Sequence, residues 1–184
     1  MQDKLKILAL GIIIATPAIA SAEVTQTCFA TGMNLHGNTG VSYYHKTDVA
    51  GQSKNYRINW MFSFGAGYRA NFGHNQANDQ QAWLWLARLD FNYYGIWKKD
   101  NTDHSLFGFS ALGGLGRQFN KRVSLDAITG LSIIRATSTQ VRPTIGAQAD
   151  YAFAGNLSAD LQYLHTFDIM KGINTISVGL SYYW

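Results

Sequence analysis

The residues able to do chemistry in this chain are spaced unlike those of a soluble enzyme. Arg57, Arg69, Arg88, Asp90, Asp126, Asp150 and Asp160 carry much of its charge, and each has an apolar or aromatic residue on either side. In an extended chain they share one face with Ser, Thr, Asn and Gly. Opposite charges gathered on such a face could pair as salt bridges or line a path for ions. A second candidate is His165, in Tyr163-Leu164-His165-Thr166-Phe167. A histidine beside a nucleophile could cleave an ester. Here the residue two positions on is Phe167, not serine, and Thr166 points to the other face of a strand. His165 therefore reads as an interfacial aromatic. His36, His45, His74 and His104 show no ligand spacing. The single cysteine, Cys28, excludes an internal disulfide framework and a cysteine-based zinc site. Gly65, Gly67, Gly108, Gly113, Gly114 and Gly116 form no phosphate loop, because no helix follows them; they read as relief of crowding inside a curved sheet. No catalytic residue, metal site or cofactor is expected.

Elements that could position these residues must come from an unusual composition. The chain has 184 residues, enough for one domain. Only 14% are charged, against about 25% in ordinary soluble proteins. Another 14% are aromatic and 47% are hydrophobic, yet the mean hydropathy is only −0.10. So apolar and aromatic a chain is not disordered. The net charge of +4 is scattered, which leaves no nucleic-acid footprint.

One continuous apolar run exists, at residues 1–22. Lys4 and Lys6 precede the apolar stretch Ile7–Ile14, Pro17 breaks it, and Ala20-Ser21-Ala22 offers small residues to a signal peptidase. This is the form of a secretory signal, too short to span a bilayer. Cleavage after Ala22 is expected, leaving 23–184 as one domain.

That domain alternates with period two. From Tyr56, one parity gives Tyr56, Ile58, Trp60, Phe62, Phe64, Ala66 and Tyr68, and the other Arg57, Asn59, Met61, Ser63, Gly65, Gly67 and Arg69. Helical periodicity would scatter those aromatics. The pattern recurs, so that eight strands are expected at about 34–45, 55–71, 81–96, 104–119, 122–137, 142–154, 157–167 and 173–184. Each is long for a globular sheet, where about 5–6 residues is usual, and long enough for a tilted strand to cross a bilayer. The polar faces carry few Lys or Glu, unlike a solvent face. The expected fold is therefore all-β: an eight-stranded, up-and-down antiparallel transmembrane barrel, apolar outside and polar inside.

Laid up and down from a periplasmic N-terminus, the strands collect aromatics at two rims. Phe72, Trp83, Trp85, Phe119, Tyr151, Phe153, Tyr182 and Trp184 fall at one. Tyr43, Tyr56, Trp60, Tyr93, Trp97, Phe107, Phe109, Tyr163 and Phe167 fall at the other. Two such belts suit two membrane interfaces. The tight turns Phe119–Arg122 and Ala154–Asn156 would be periplasmic, and His45–Asn55, Trp97–Asp103, Ser138–Arg142 and Asp168–Gly172 would be outer loops.

With its leader, eight alternating segments and terminal Ser-Val-Gly-Leu-Ser-Tyr-Tyr-Trp, the chain resembles the small outer-membrane barrels of the OmpA-like, OmpX and opacity-protein group. Ile176, Val178, Leu180, Tyr182 and Trp184 match that group's terminal strand. The resemblance implies residence in the outer membrane of a Gram-negative bacterium. It also implies that the barrel-assembly machinery reads Tyr182 and Trp184. Its further implication is a structural or surface-interaction role rather than catalysis: envelope integrity, with contact to lipopolysaccharide or a host surface molecule through the outer loops. Lys98 and Lys99, beside Trp97, are the candidates for meeting lipopolysaccharide phosphates. Two other readings are weighed. A lipid A deacylase of this size would need the serine that His165 lacks. A narrow channel would need an open lumen, whereas eight strands enclose a space that side chains just fill.

Overall fold

The computed structural model describes residues 31–47, 54–72, 83–99, 102–120, 122–135, 138–167 and 172–184. Residues 1–30, with the expected leader, its expected cleavage site and Cys28, and the connections 48–53 and 73–82 lie outside them, as do the side chains of Tyr56, Arg57, Phe72, Trp97, Lys98, Lys99 and His104. Eight strands follow one another: β1 (Gly32–Thr47), β2 (Lys54–Phe72), β3 (Trp83–Lys99), β4 (Thr102–Gln118), β5 (Val123–Arg135), β6 (Thr139–Ala154), β7 (Leu157–Thr166) and β8 (Ile173–Tyr183). Each pairs antiparallel with the next, and β8 returns to β1, so the sheet closes. Closure leaves no strand edge unpaired.

Following the register once around leads from Gly32 through Arg69, Leu86, Gly114, Ile128, Gly146, Leu164 and Thr175 to Ser42. The ring therefore closes with a displacement of ten residues along β1, from 32 to 42. Such a stagger obliges the strands to tilt and brings side chains from distant sequence positions to one level of the interior.

Burial is inverted relative to a soluble protein. Ile58, Phe64, Leu89, Leu115 and Val178 are each more than half exposed, while Arg69, Asp90, Asp126 and Asp150 are 2% exposed or less. Apolar residues facing outward on every strand make a lipid-facing wall. Trp83, Phe119 and Trp184 stand at one end of that wall and Phe167 at the other, whereas Phe109, expected at a rim, continues a row with Phe91 and Phe64 across the middle of β4, β3 and β2.

Two features depart from simple alternation. The register of β3 against β4 skips Tyr94, between Tyr93 and Gly95. Gly95 adopts a φ of +92°, a backbone that side-chain-bearing residues rarely hold. This bulge keeps Tyr94 inside and turns Ile96 outward, reversing the parity that Asn92 predicts for it. The second departure is the connection Trp97–Asp103, expected as an outer loop. It is a tight hairpin instead, with Lys98 opposite Asp103 and Lys99 opposite Thr102 in the strand register. The short turns at the other end hold as hairpins. At Phe119–Arg122, Asn120 Oδ1 accepts from the backbone N–H of Arg122 and Val123, both at 2.8 Å. At the next turn the backbone N–H of Tyr183 donates to the Asn156 carbonyl at 2.8 Å.

Candidate functional site

The inward positions of six strands build one connected polar chain. Arg69, on β2, is its strongest node: Nη2 donates to Asp126 Oδ2 on β5 and to Asp150 Oδ2 on β6, 2.7 Å each. Asp150 Oδ1 accepts from Gln148 Nε2 at 2.8 Å. Gln148 Oε1 accepts from Arg88 Nη1 at 2.7 Å and from Gln162 Nε2 on β7 at 2.9 Å. Arg88 Nε lies 2.9 Å from Asp90 Oδ2, and His36 Nε2 on β1 donates to Asp90 Oδ1 at 2.5 Å. The chain ends where His36 Nδ1 meets Asn34 Oδ1 at 3.2 Å. Asp160 stands apart from it, accepting from Asn38 Nδ2 at 2.6 Å.

Of the seven charged residues singled out from the sequence, five thus meet in one network, Asp160 is inward beside it, and the Arg57 side chain lies outside the described part. Sequence reasoning passed over His36, Asn34, Gln148 and Gln162. Their inward parity was the available signal. His36 has no metal spacing in the sequence and meets the Asp90 carboxylate across the lumen instead.

Small residues make the room these charges occupy. A Cβ on Gly116 would fall on the Asp126 carboxylate and lie 2.9 Å from the Leu125 carbonyl. One on Gly65 would lie 2.5 Å from Asp90 Oδ1 and 2.7 Å from His36 Nε2. Gly113, expected to relieve interior crowding with its neighbours, does not belong to this set. Its missing side chain faces out, where a Cβ would meet only the Leu86 carbonyl, at 3.8 Å.

Further along the barrel the interior changes character. A ladder of hydroxyls crosses four strands, Ser110 to Ser132 at 2.7 Å, Ser132 to Thr144 at 2.7 Å and Thr144 to Thr166 at 3.0 Å. Next to it Tyr94, Leu106, Ile134 and Ile173 pack into an apolar cluster. The cavity among Asn34, His36, Arg69, Arg88, Gln148 and Tyr183 measures ≈ 20 Å³, space for about one water molecule. An ion crossing the lumen would have to break the ionic chain and part the apolar cluster in series.

On the outer face, His165 is already engaged. Its Nδ1 lies 2.8 Å from Asn174 Oδ1, which also accepts from the Tyr163 hydroxyl at 2.8 Å, and its ring packs edge-on to Phe167 at 4.4 Å between centroids. Its register partners are Ile145 and Asn174, and neither offers a nucleophile. On β8, Tyr182 and Trp184 both face outward with rings stacked at 6.4 Å. The Trp184 N–H donates to the Met33 carbonyl at 3.1 Å and so helps to seal the seam with β1.

A closed ring of eight long strands, apolar outside and filled by ion pairs inside, defines a small transmembrane β-barrel. Solved structures of that class match it over nearly their whole length. Ail, the attachment invasion locus protein of Yersinia pestis, aligns with a TM-score of 0.53 at 16% identity, covering 83% of this chain and 99% of Ail. Neisserial surface protein A aligns with a TM-score of 0.54 at 15% identity, covering 84% of this chain and 98% of that one. At such identities the likeness is one of fold. The chain matches no protein-family model and no curated protein.

Proposed function

We propose that this protein is an integral outer-membrane barrel of a Gram-negative bacterium, secreted by its cleavable leader. In this reading it serves envelope integrity or surface contact, not catalysis or conduction. The observation that carries the reading is the inversion of burial: an apolar and aromatic wall outside, and a connected chain of charged and polar side chains inside. Two layers of different chemistry then block the lumen. Expressed in full, the chain is expected to fractionate with outer membranes, to change gel mobility on boiling, and to leave planar bilayers electrically silent. A soluble protein with unaltered mobility would overturn the membrane assignment. Discrete conductance steps would overturn the filled-lumen role. The outward Tyr182 and Trp184 serve this reading as the signal for the barrel-assembly machinery.

Surface contact in this proposal runs through the rim opposite the termini. Lys98 and Lys99, at the end of β3, are its candidate pair for lipopolysaccharide phosphates, with Asp103 opposite Lys98 in register. Lys98→Ala with Lys99→Ala is expected to lower lipopolysaccharide co-purification about tenfold or more, at about fivefold per cation. Unchanged co-purification would sink the pair's role.

A further inference from the structure

We propose that the outer face over β3, β4 and β5 holds one anionic glycerophospholipid, its phosphate beside Arg117 and Arg122 and an acyl chain in the groove next to them. The proposal rests on the barrel spanning a membrane. It concerns the rim that carries the C-terminus, not the outer loops.

Two independent observations converge there. The first is a pair of cations seated on belt aromatics. Arg117 faces outward between Leu115 and Phe119, with its guanidinium carbon 6.0 Å from the ring centre of Trp83, its register partner. Arg122, in the connection to β5, donates from Nη1 to the Tyr151 hydroxyl at 3.3 Å. Long cationic side chains at this depth lay their stems on the apolar wall and hold their charge at the level of lipid phosphates. The aromatic contacts restrain both of them at a single hairpin.

The second observation is a groove of ≈ 500 Å³ on the same strands, lined by Trp85, Gly113, Leu115, Ala127 and Thr129 among others. It begins at the next outward-facing pair beyond Arg117, where Trp85 pairs with Leu115 and Leu115 with Ala127. Gly113, two residues along β4 from Leu115, and Ala127, across from Leu115 on β5, leave its floor low beside the larger Trp85 and Leu115. A recess of methyl and methylene surface ending at two cations fits an amphiphile with a chain at one end and a phosphate at the other. A zwitterionic headgroup would bring its own cation towards Arg117 and Arg122, so an anionic one is preferred.

The test is native mass spectrometry of the full folded chain in detergent, with equimolar phosphatidylglycerol and phosphatidylcholine of the same acyl chains. The wild-type barrel is expected to retain phosphatidylglycerol preferentially. Arg117→Gln with Arg122→Gln should remove that preference, at about fivefold per arginine. Gly113→Leu should fill the groove and lower retention of both lipids while the headgroup preference stays. Equal retention of the two lipids by the wild-type chain would overturn the proposal, as would unaltered retention by Gly113→Leu. A wild-type dimer that Gly113→Leu splits would assign the groove to a second copy and overturn it as well. A folded, heat-modifiable barrel that fails to discriminate sinks this proposal alone. A chain that shows no mobility shift and does not enter vesicles sinks the membrane reading and this proposal together.

Discussion

Replacing Arg69 by leucine is expected to destabilise the barrel by about 3–5 kcal/mol. The guanidinium lies between two carboxylates at 2.7 Å, and the side chains of all three are 2% exposed or less. Without it, Asp126 and Asp150 remain as neighbouring buried charges with no cation between them. The loss reflects an uncompensated charge rather than the net value of the pair, so it largely disappears when the whole cluster is neutralised. Arg69→Met combined with Asp126→Asn and Asp150→Asn is expected to recover most of the stability. Urea titration in detergent micelles, read by the mobility difference between folded and boiled barrel, measures both. A single Arg69→Leu variant within about 1 kcal/mol of wild type would rule out the cluster as a main source of stability, since broken buried pairs ordinarily cost several times that.

The second large effect is expected at Gly116. Valine there must displace the Asp126 carboxylate or bend β5 away at the Leu125 carbonyl. Overpacking by itself costs about 1–3 kcal/mol. Moving Asp126 also breaks its bond to Arg69, so the two penalties act together. The same titration should show Gly116→Val among the least stable variants. In an Asp126→Ser background, where the shorter side chain vacates the space, the valine should cost much less. A double-mutant cycle isolates that coupling. Additive effects would mean that Gly116 is there for the backbone alone and not for the carboxylate.

How much of this was legible in the sequence depends on the range of the interaction. Period two needs only neighbours, so residues 56–70 and 82–94 already declare strands with one apolar face, and the limits of all eight strands fall within a few residues of expectation. The outward aromatics and the inward charges follow from the same parity, but depth along a strand does not, and Phe64, Phe91 and Phe109 form a row at mid-strand. Who meets whom inside does not follow either, because a stagger of ten residues sets which rows share a level, and the stagger is a property of closure. Arg69 and Asp126 are 57 positions apart and could have met other partners under another stagger. Local chemistry also misled. Ile96 keeps the parity of Asn92 until the bulge at Tyr94 shifts it. Leu106, Leu112, Ile128, Ile134 and Leu164 sit on polar parities yet pack inside, so the lumen is partly oily where alternation alone predicts a polar filling. Gly113 sits among glycines that face inward, but it shares the parity of Phe109, Ala111 and Leu115, which marks it as the outward one.

The seam between β1 and β8 has a consequence for the order of assembly. Leu35 pairs with Tyr182 and Asn34 with Tyr183, so the first strand waits for the last residues of the chain. That contact has nearly the greatest loop length the protein could offer, and its closure entropy must be met before any bond of the seam forms. Until then β1 and β8 are both raw edges able to recruit foreign strands. A chain stopped short of β8 would be an open, sticky sheet rather than a smaller barrel. Whatever handles the protein before insertion therefore has to shield two edges at once and release them to each other.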